Sequence, residues 1–496
     1  MPKQTNTSKN AACRPPIVTL LGHVDHGKTT LLSAIKGEDL TRKEFGGISQ
    51  HTRAYQVEGE FEGEKKTITF IDTPGHKAFS KMRSRGGKVA DLVILVIAAD
   101  DGVQPQTKEA VAYAREANVP IIVALNKMDL VTAQPDQVKR GLAELDLASE
   151  DWGGQTTVIP VSATKKEGIA ELLEMILLWA ETSELKSDPE GEFSGVVVEA
   201  HLDPRRGPIA TVLIKEGSLK VGEEISIVGA LEGSTTTTGS GKVKALFLEG
   251  KAIKTAGPST PTEILGFSQV PEVGALVAKG PATAAAAAPT TPKRKVVAPQ
   301  DKTTLNVILK ADAVGTAQAV EAAVETIELE GFKTKIIASG IGAVTDSDLR
   351  LANDTQSQIF AFNVGFSLGT EFLARDLGIK VQQHQIIYQL IKGVTEALEE
   401  RYRLAENKIS GVGEVIEVFT LPRSGDKVAG TRVFAGELKL GNRVRIIRDA
   451  DVAHRGKIKS IQHKRNEVKQ AKKGLEVGLY IRPQYEPKVG DIIEVI

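Results

Sequence analysis

The chain has almost no cysteine, no net charge and no long apolar run. One thiol, Cys13, occurs in 496 residues. No disulfide framework can form within the chain, as fits a reducing compartment. Lys plus Arg equals Asp plus Glu at 63 each, which excludes a wholly basic coat for nucleic acid. No stretch approaches the ~20 apolar residues of a membrane-spanning helix, and the N-terminus lacks the apolar centre of a signal peptide. The expectation is a soluble, cytoplasmic chain with no membrane partner. Charge is nevertheless uneven, because residues 401–496 hold 20 Lys and Arg against 12 Asp and Glu. That excess reads first as a solvated surface, with RNA phosphates as the functional alternative.

Hydrophobic residues make up 41% of the chain, enough for ordinary cores, and the length suggests about three or four domains. From residue 15 to 183, β-branched apolar runs alternate with helical patterns. Ile17–Leu21, Thr67–Ile71, Leu92–Ala98, Ile121–Leu125 and Val158–Val161 read as strands. Helices are expected over 29–36, 78–86, 106–117, 135–144 and 169–180. Strands buried on both faces with helices between them predict a doubly wound parallel sheet. Ligands in such sheets sit beyond the carboxyl ends of the strands.

Four motifs fall at those ends. Gly22-His23-Val24-Asp25-His26-Gly27-Lys28-Thr29-Thr30 follows the first strand and opens a helix. Gly-x4-Gly-Lys-Thr in that setting is a phosphate-binding loop, with Lys28 for the outer phosphates and the Thr29 hydroxyl for Mg²⁺. Asp72-Thr73-Pro74-Gly75-His76 follows the strand ending at Ile71. Its carboxylate can hold Mg²⁺ through water, and Gly75 can bring an N–H to a γ-phosphate. A plain Asp-x-Pro-Gly turn is the alternative for a lone match. Asn126-Lys127-Met128-Asp129 is the guanine-reading pattern. The Asp129 carboxylate accepts from the base's N1–H and exocyclic amine, which adenine cannot supply. Ser162-Ala163 would support the base from the last strand. In this order the motifs predict a GTP-binding domain.

The period changes after residue 190. Val196–Ala200, Ile209–Lys215 and Glu224–Val228 alternate between glycines, predicting a β-barrel over 190–280, with Ser234–Gly241 as a loop tip. Residues 281–301 hold Ala284–Ala288 and three prolines and read as a linker. Strand and helix alternate again over 302–385, predicting a small α/β/α sandwich with strands at 305–310, 335–338, 359–364 and 379–382. Its helices are expected over 316–329 and 346–353, where Asp346 and Asp348 read as caps. A connecting helix is expected over 386–406 and a C-terminal β-barrel over 408–496. Residues 1–14 read as a disordered tail.

Gly22–Leu32 and Gly46-Gly47-Ile48-Ser49-Gln50-His51 carry a resemblance, as do Asp72–Phe79 and Ala98–Thr107. Through them the chain resembles the translational GTPases and, within these, the bacterial translation initiation factor two family, from about residue 15 to its end. The resemblance implies ribosome-triggered GTP hydrolysis, with His76 orienting the attacking water and Val24 and Ile48 as an apolar gate. It implies Mg²⁺ held by Thr29, Ser49 and Asp72, and a monovalent cation at Asp25. It implies as partners both ribosomal subunits, formylmethionyl initiator tRNA and other initiation factors, with the factor itself a monomer. The last barrel would bind the formylmethionyl end through Arg432, Lys464, Arg465, Glu476 and Gly478. The sequence departs from the family at Thr431 and Val477, often cysteine, and at Leu475, often aromatic. Ser49 stands where the family usually has threonine and lacks the methyl that stiffens χ1. Looser switch closure is the expectation. Only about 14 residues precede the GTP domain, so contacts made by the long N-terminal extension of many relatives are expected to be missing. Two alternatives stay open: an elongation or specialised tRNA-delivery factor, and a barely catalytic GTP-regulated assembly protein.

Overall fold

Ile17–Gly22, an apolar run with a Thr at its centre, forms a strand buried at every position. In the computed structural model, which describes residues 12–40, 49–74, 89–228, 237–280, 303–406, 410–420, 426–448, 451–464, 466–483 and 485–496, it lies at the centre of a six-stranded sheet. Glu64–Asp72 and Leu92–Ala98 flank it in parallel, followed outward by Ile121–Asn126 and Val158–Pro160. Alternate side chains of Leu92–Ala98 go to opposite faces. Leu92, Ile94 and Val96 pack with Leu31, Leu32, Leu172 and Ile176. Val93, Leu95 and Ile97 pack with Ala110, Val111, Val138 and Leu142. Each face is thus covered by helices: Lys28–Lys36 and Ile169–Thr182 on one, Pro105–Glu116 and Pro135–Ala143 on the other.

One strand departs from the all-parallel expectation. Arg53–Phe61 pairs antiparallel with Glu64–Asp72 at the sheet edge, from Arg53↔Asp72 to Phe61↔Glu64. The connecting Glu62 and Gly63 both take positive φ, 52° and 81°, the mirror-image turn that suits strand twist. The tail expected to be disordered over 1–14 is ordered at its end: Ala12–Cys13 pairs with Lys186–Ser187, and Arg14 forks onto Asp91 at 2.6 and 2.7 Å, while residues 1–11 lie outside the described residues.

The chain divides into two compact units. The first holds Met1–Ala298, Asn306–Ile327 and Thr334–Val394, and the second Pro299–Leu305, Glu328–Lys333 and Thr395–Ile496. The first unit contains, after the six-stranded sheet, a seven-stranded antiparallel barrel closed by pairing of Glu224–Val228 with Thr237–Leu248. That pairing overturns the loop tip expected over 234–241. Thr237 faces Val228 and Gly241 faces Ile225 in register, since threonine fits a pleated surface as readily as a turn. Residues 234–236 lie outside the described residues, as do the predicted helix at 78–86 and the linker at 281–301.

The small sandwich has Thr304–Ala311, Gln358–Phe362 and Val381–His384 in parallel. Its first helix stops at Glu325 rather than continuing to 329. Glu328 and Leu329 pair instead with Lys333 and Phe332 in a hairpin. A helix at Thr370–Asp376 was not anticipated. The cap of Asp346–Thr355 is Thr345, whose hydroxyl receives the Asp348 N–H. Asp348 answers it as the third-position partner and also meets Lys310 at 3.0 Å. Asp346 accepts from the Thr370 hydroxyl. Neither aspartate is itself the cap.

Helix Ile387–Glu406 matches its expected span. The second unit holds an antiparallel barrel running from Gly411–Thr420 to Ile492–Val495, closed by pairing of Gly411–Thr420 with Lys427–Lys439. Val415, Val444, Ile446, Ile458, Ile461 and Ile493 fill it and are fully buried.

Candidate functional site

The phosphate loop turns where the backbone demands small or permissive residues. Gly22 has φ 149°, and a Cβ there would sit 2.3 Å from the Val96 carbonyl oxygen. Asp25 and Gly27 take φ 63° and 85°, and helix Lys28–Lys36 starts directly after. Its N-cap is Gly27, which has no side chain to cap it, so the first N–H groups of the helix are left for an anion to meet. Lys28 is buried, and its ammonium donates to the carbonyls of Gly22 at 3.0 Å and His23 at 2.5 Å.

Beside the loop three oxygens converge. The Thr29 and Ser49 hydroxyls are 2.8 Å apart, and Ser49 donates to Asp72 Oδ2 at 3.0 Å. Asp72 is 2% exposed, and among the described residues its Oδ1 has no hydrogen-bond partner. Burial pushes its carboxyl above the usual range, against the pull of Lys28 and Ser49. A buried, half-satisfied carboxylate with two hydroxyls is a hard-oxygen set that suits Mg²⁺, which takes few protein ligands and keeps its waters. Among the described residues no group of three His, Cys, Asp or Glu side chains forms a metal cluster. Thr73 donates to the Leu20 carbonyl at 3.0 Å. Gly75, His76 and Ile48 lie outside the described residues.

The corner formed by Asn126, Asp129, Ser162 and Ala163 is tied to the Gly22–Thr29 loop. Asn126 donates to the His26 carbonyl at 3.0 Å and accepts from the Ala163 N–H at 3.1 Å. One side chain therefore links three of the four motifs. Asp129 accepts from the Ser162 hydroxyl at 2.7 Å, which holds its carboxyl below the usual carboxylate range. Ser162 in turn accepts from the Lys165 N–H. The carboxylate is ionised and oriented, as a reader of two N–H donors must be. Lys127, at φ 63°, stands 3.6 Å from Asp100.

A test of this tie follows. A Cβ on Gly27 would lie 2.4 Å from Asn126 Nδ2, at a φ that L side chains resist. Gly27→Ala is expected to displace Asn126 and weaken GDP and GTP binding together, by roughly 1–3 kcal/mol of strain and lost hydrogen bonding. Titration with a fluorescent nucleotide checks it, and unchanged affinity would show that the tie is not needed.

Residues the motifs did not flag brace the loop. The Val24 N–H donates to Gln106 Oε1 at 3.0 Å. His26, 1% exposed, meets Asp101 at 2.9 Å. Burial holds its imidazole below the usual histidine range despite Asp101. Both partners belong to the Ala98–Thr107 run, and the available signal was its position after a strand's carboxyl end. Gln50 and His51, next to Ser49, make long-range contacts that no local pattern announces.

In the second unit, Arg432 and Glu476 are opposed on neighbouring strands, with Arg432 Nη2 2.6 Å from Glu476 Oε1. Gly478 pairs with Gly430, and Lys464 occupies a left-handed turn at φ 48°. Phe434 and Leu475 are exposed nearby in sequence, at 44% and 38%. Arg465 lies outside the described residues. Thr431 and Val477 are buried and paired with each other, so these two departures change the barrel interior.

Residues 14–182 match the family described as Elongation factor Tu GTP binding domain, and 192–280 match Elongation factor G domain 2. Residues 286–395 match Translation-initiation factor 2, and 426–494 match Elongation factor Tu domain 2. Translation initiation factor IF-2 of Lysinibacillus sphaericus is 43% identical over 503 residues, covering 97% of this chain and 64% of that protein. Its counterpart in Rubrobacter xylanophilus is 41% identical, covering 97% of this chain and 71% of that protein. The chain thus spans about two thirds of the length of these curated relatives. Among solved structures, GDP-bound aIF5B from Aeropyrum pernix aligns at 24% identity and a TM-score of 0.47, covering 98% of this chain and 92% of that one.

Proposed function

Because the chain belongs to the translation initiation factor 2 family of translational GTPases, we propose that it is a ribosome-stimulated GTPase that places formylmethionyl initiator tRNA on the small subunit. The observation that carries the nucleotide part is the Asn126 tie between phosphate loop and base-reading corner, beside an ionised Asp129. GTP would lie with its base on Asp129 and Ser162–Ala163 and its phosphates over Gly22–Thr30. Thr29, Ser49 and Asp72 would hold Mg²⁺, which when bound offsets charge on the outer phosphate oxygens.

Phosphoryl transfer needs positioning more than covalent help. We assign that role to His76, with Val24 and Ile48 gating its approach. The Gln106 hydrogen bond to the Val24 N–H supports a fixed Val24 side of that gate. His76→Ala is expected to lower ribosome-stimulated kcat by about 100-fold, the scale of a misplaced reactant, with nucleotide affinity unchanged. Equal turnover in variant and wild type would remove His76 from the mechanism. Asp25 is a candidate for a monovalent cation.

The surface around Arg432, Lys464, Arg465, Glu476 and Gly478 is proposed for the aminoacyl end, with the 20 basic against 12 acidic residues of 401–496 as support. A cytoplasmic, monomeric factor working with other initiation factors completes the reading. Among the described residues no helix is long and apolar enough to cross a membrane. The deciding experiment is GTP-dependent retention of formylmethionyl initiator tRNA on small subunits, followed by GTP turnover when large subunits are added. Equal retention of an elongator aminoacyl-tRNA would favour a delivery factor instead. Retention without added turnover would favour a GTP-regulated assembly protein.

A further inference from the structure

Ser49 supplies the hydroxyl beside Thr29 and Asp72 but not the χ1 stiffness of a β-branched residue. The two residues that follow it are pinned unusually far along the chain. Gln50 is 4% exposed, and its carboxamide works in both directions. Its Nε2 donates to the Gln385 carbonyl at 3.0 Å, and its Oε1 accepts from the Ile387 N–H at 3.0 Å. Ile387 opens helix Ile387–Glu406, so the glutamine also satisfies a first-turn N–H with no partner inside the helix. His51 Nε2 meets Asp312 Oδ2 at 2.8 Å. Asp312 is itself fixed, accepting from Thr316 Oγ1 at 2.8 Å and Asn363 Nδ2 at 2.5 Å. All of these residues belong to the first unit.

We propose that Gln50 and His51 are positioning residues that hold the backbone at Ser49 so that its hydroxyl is placed for Mg²⁺, the small α/β sandwich and the long helix supplying a fixed backbone that offsets part of serine's freedom about χ1. The proposal rests on the GTP and Mg²⁺ reading above. Rotation of Ser49 about χ1 moves its hydroxyl away from Asp72, and the backbone must stay put for the rotamer to matter. Fixing the backbone on the C-terminal side of Ser49 fixes where its Cβ sits, and with it the point at which each χ1 rotamer places the hydroxyl. A threonine at 49 acts on the other variable, restricting which χ1 rotamer is populated. Both raise the population of the one hydroxyl position beside Asp72, so a gain in one offsets a loss in the other, and the idea is testable by rescue.

The readout is the Mg²⁺ concentration that half-saturates binding of a fluorescent, non-hydrolysable GTP analogue to the full chain. Gln50→Ala is expected to raise it about tenfold, within the range of couplings between contacting residues. Ser49→Thr added to Gln50→Ala is expected to bring it back to within about threefold of wild type. Asp312→Asn keeps the side chain's volume and tests the His51 anchor in the same way, with a rise of about threefold expected. Analogue binding in excess chelator serves as the reference, since loss of general structure would lower it equally. An unchanged midpoint in both Gln50→Ala and Asp312→Asn, or a rise in Gln50→Ala that Ser49→Thr does not rescue, overturns the proposal. A wild-type chain whose analogue binding ignores Mg²⁺ would instead overturn the nucleotide reading, and this proposal with it.

Discussion

Asp129→Asn is expected to weaken GTP and GDP binding by roughly 10³- to 10⁴-fold, the penalty of a polar site left mismatched. The carboxylate accepts a hydrogen bond from the Ser162 hydroxyl and is held ionised. Guanine offers it two donors, N1–H and the exocyclic amine. An asparagine would present its own N–H₂ to that amine, so two donors would face each other with no acceptor between. Xanthine carries a carbonyl in place of the amine, and the mismatch then disappears. The variant should therefore bind xanthosine nucleotides better than guanosine nucleotides. Competition against a fluorescent nucleotide measures both arms. A guanosine loss below about tenfold would mean that Asp129 does not read the base.

Asp491→Ala is expected to cost the C-terminal barrel about 2–3 kcal/mol, below the range for a fully buried ion pair because Arg448 keeps 28% of its side chain exposed. Asp491 is 1% exposed and accepts from Arg448 Nε at 2.7 Å, Arg448 Nη2 at 2.8 Å and the Lys488 N–H at 2.8 Å. The Tyr485 hydroxyl also donates to it. Tyr485 is itself stacked on His454 with ring centroids 5.3 Å apart. Alanine would leave the buried phenol without its acceptor and the Arg448 guanidinium without its carboxylate. Burial alone would raise the Asp491 carboxyl, but the hydrogen bonds from Arg448 and Tyr485 outweigh it and hold the group below the usual range. A depressed carboxyl contributes stability that is complete above its unfolded value near ~4 and is lost as pH falls through the lower folded value. Wild type should lose barrel stability in that acid window, and Asp491→Ala should lose less there because it has already forfeited the contribution. Amide exchange at Val415 and Gly490, which bond across to Asp491 and Val415, reads the barrel separately from the other domains. Exchange rates unchanged by the substitution would show that Asp491 does not hold the barrel together.

The parts of the fold legible in the sequence were those where one strand or helix carries its own signal. Leu92–Ala98 is buried on both faces and reads as an unbroken apolar run. Arg53–Phe61 has mostly half-buried positions, and nothing in its residues declares a strand until Glu64–Asp72 is seen beside it. Thr237–Gly241 misled because threonine and glycine serve both turns and closed barrels. The site shows the same division. Lys28, Asp72, Asn126 and Asp129 stand at or just after the carboxyl ends of strands, where the spacing of their motifs points. Gln50 and His51 act through partners 335 and 261 residues away. Two-residue neighbours of a motif carry no local mark of such contacts, so only the folded chain reveals them.

The lone thiol has a practical meaning. Cys13 is exposed, on a two-residue strand zipped to Lys186–Ser187, with the Arg14 N–H bonded to the Leu185 carbonyl. A maleimide dye can attach at one address only, without any residue being removed first. Its anisotropy would report whether the two ends of the GTP-binding domain stay fastened as nucleotide comes and goes.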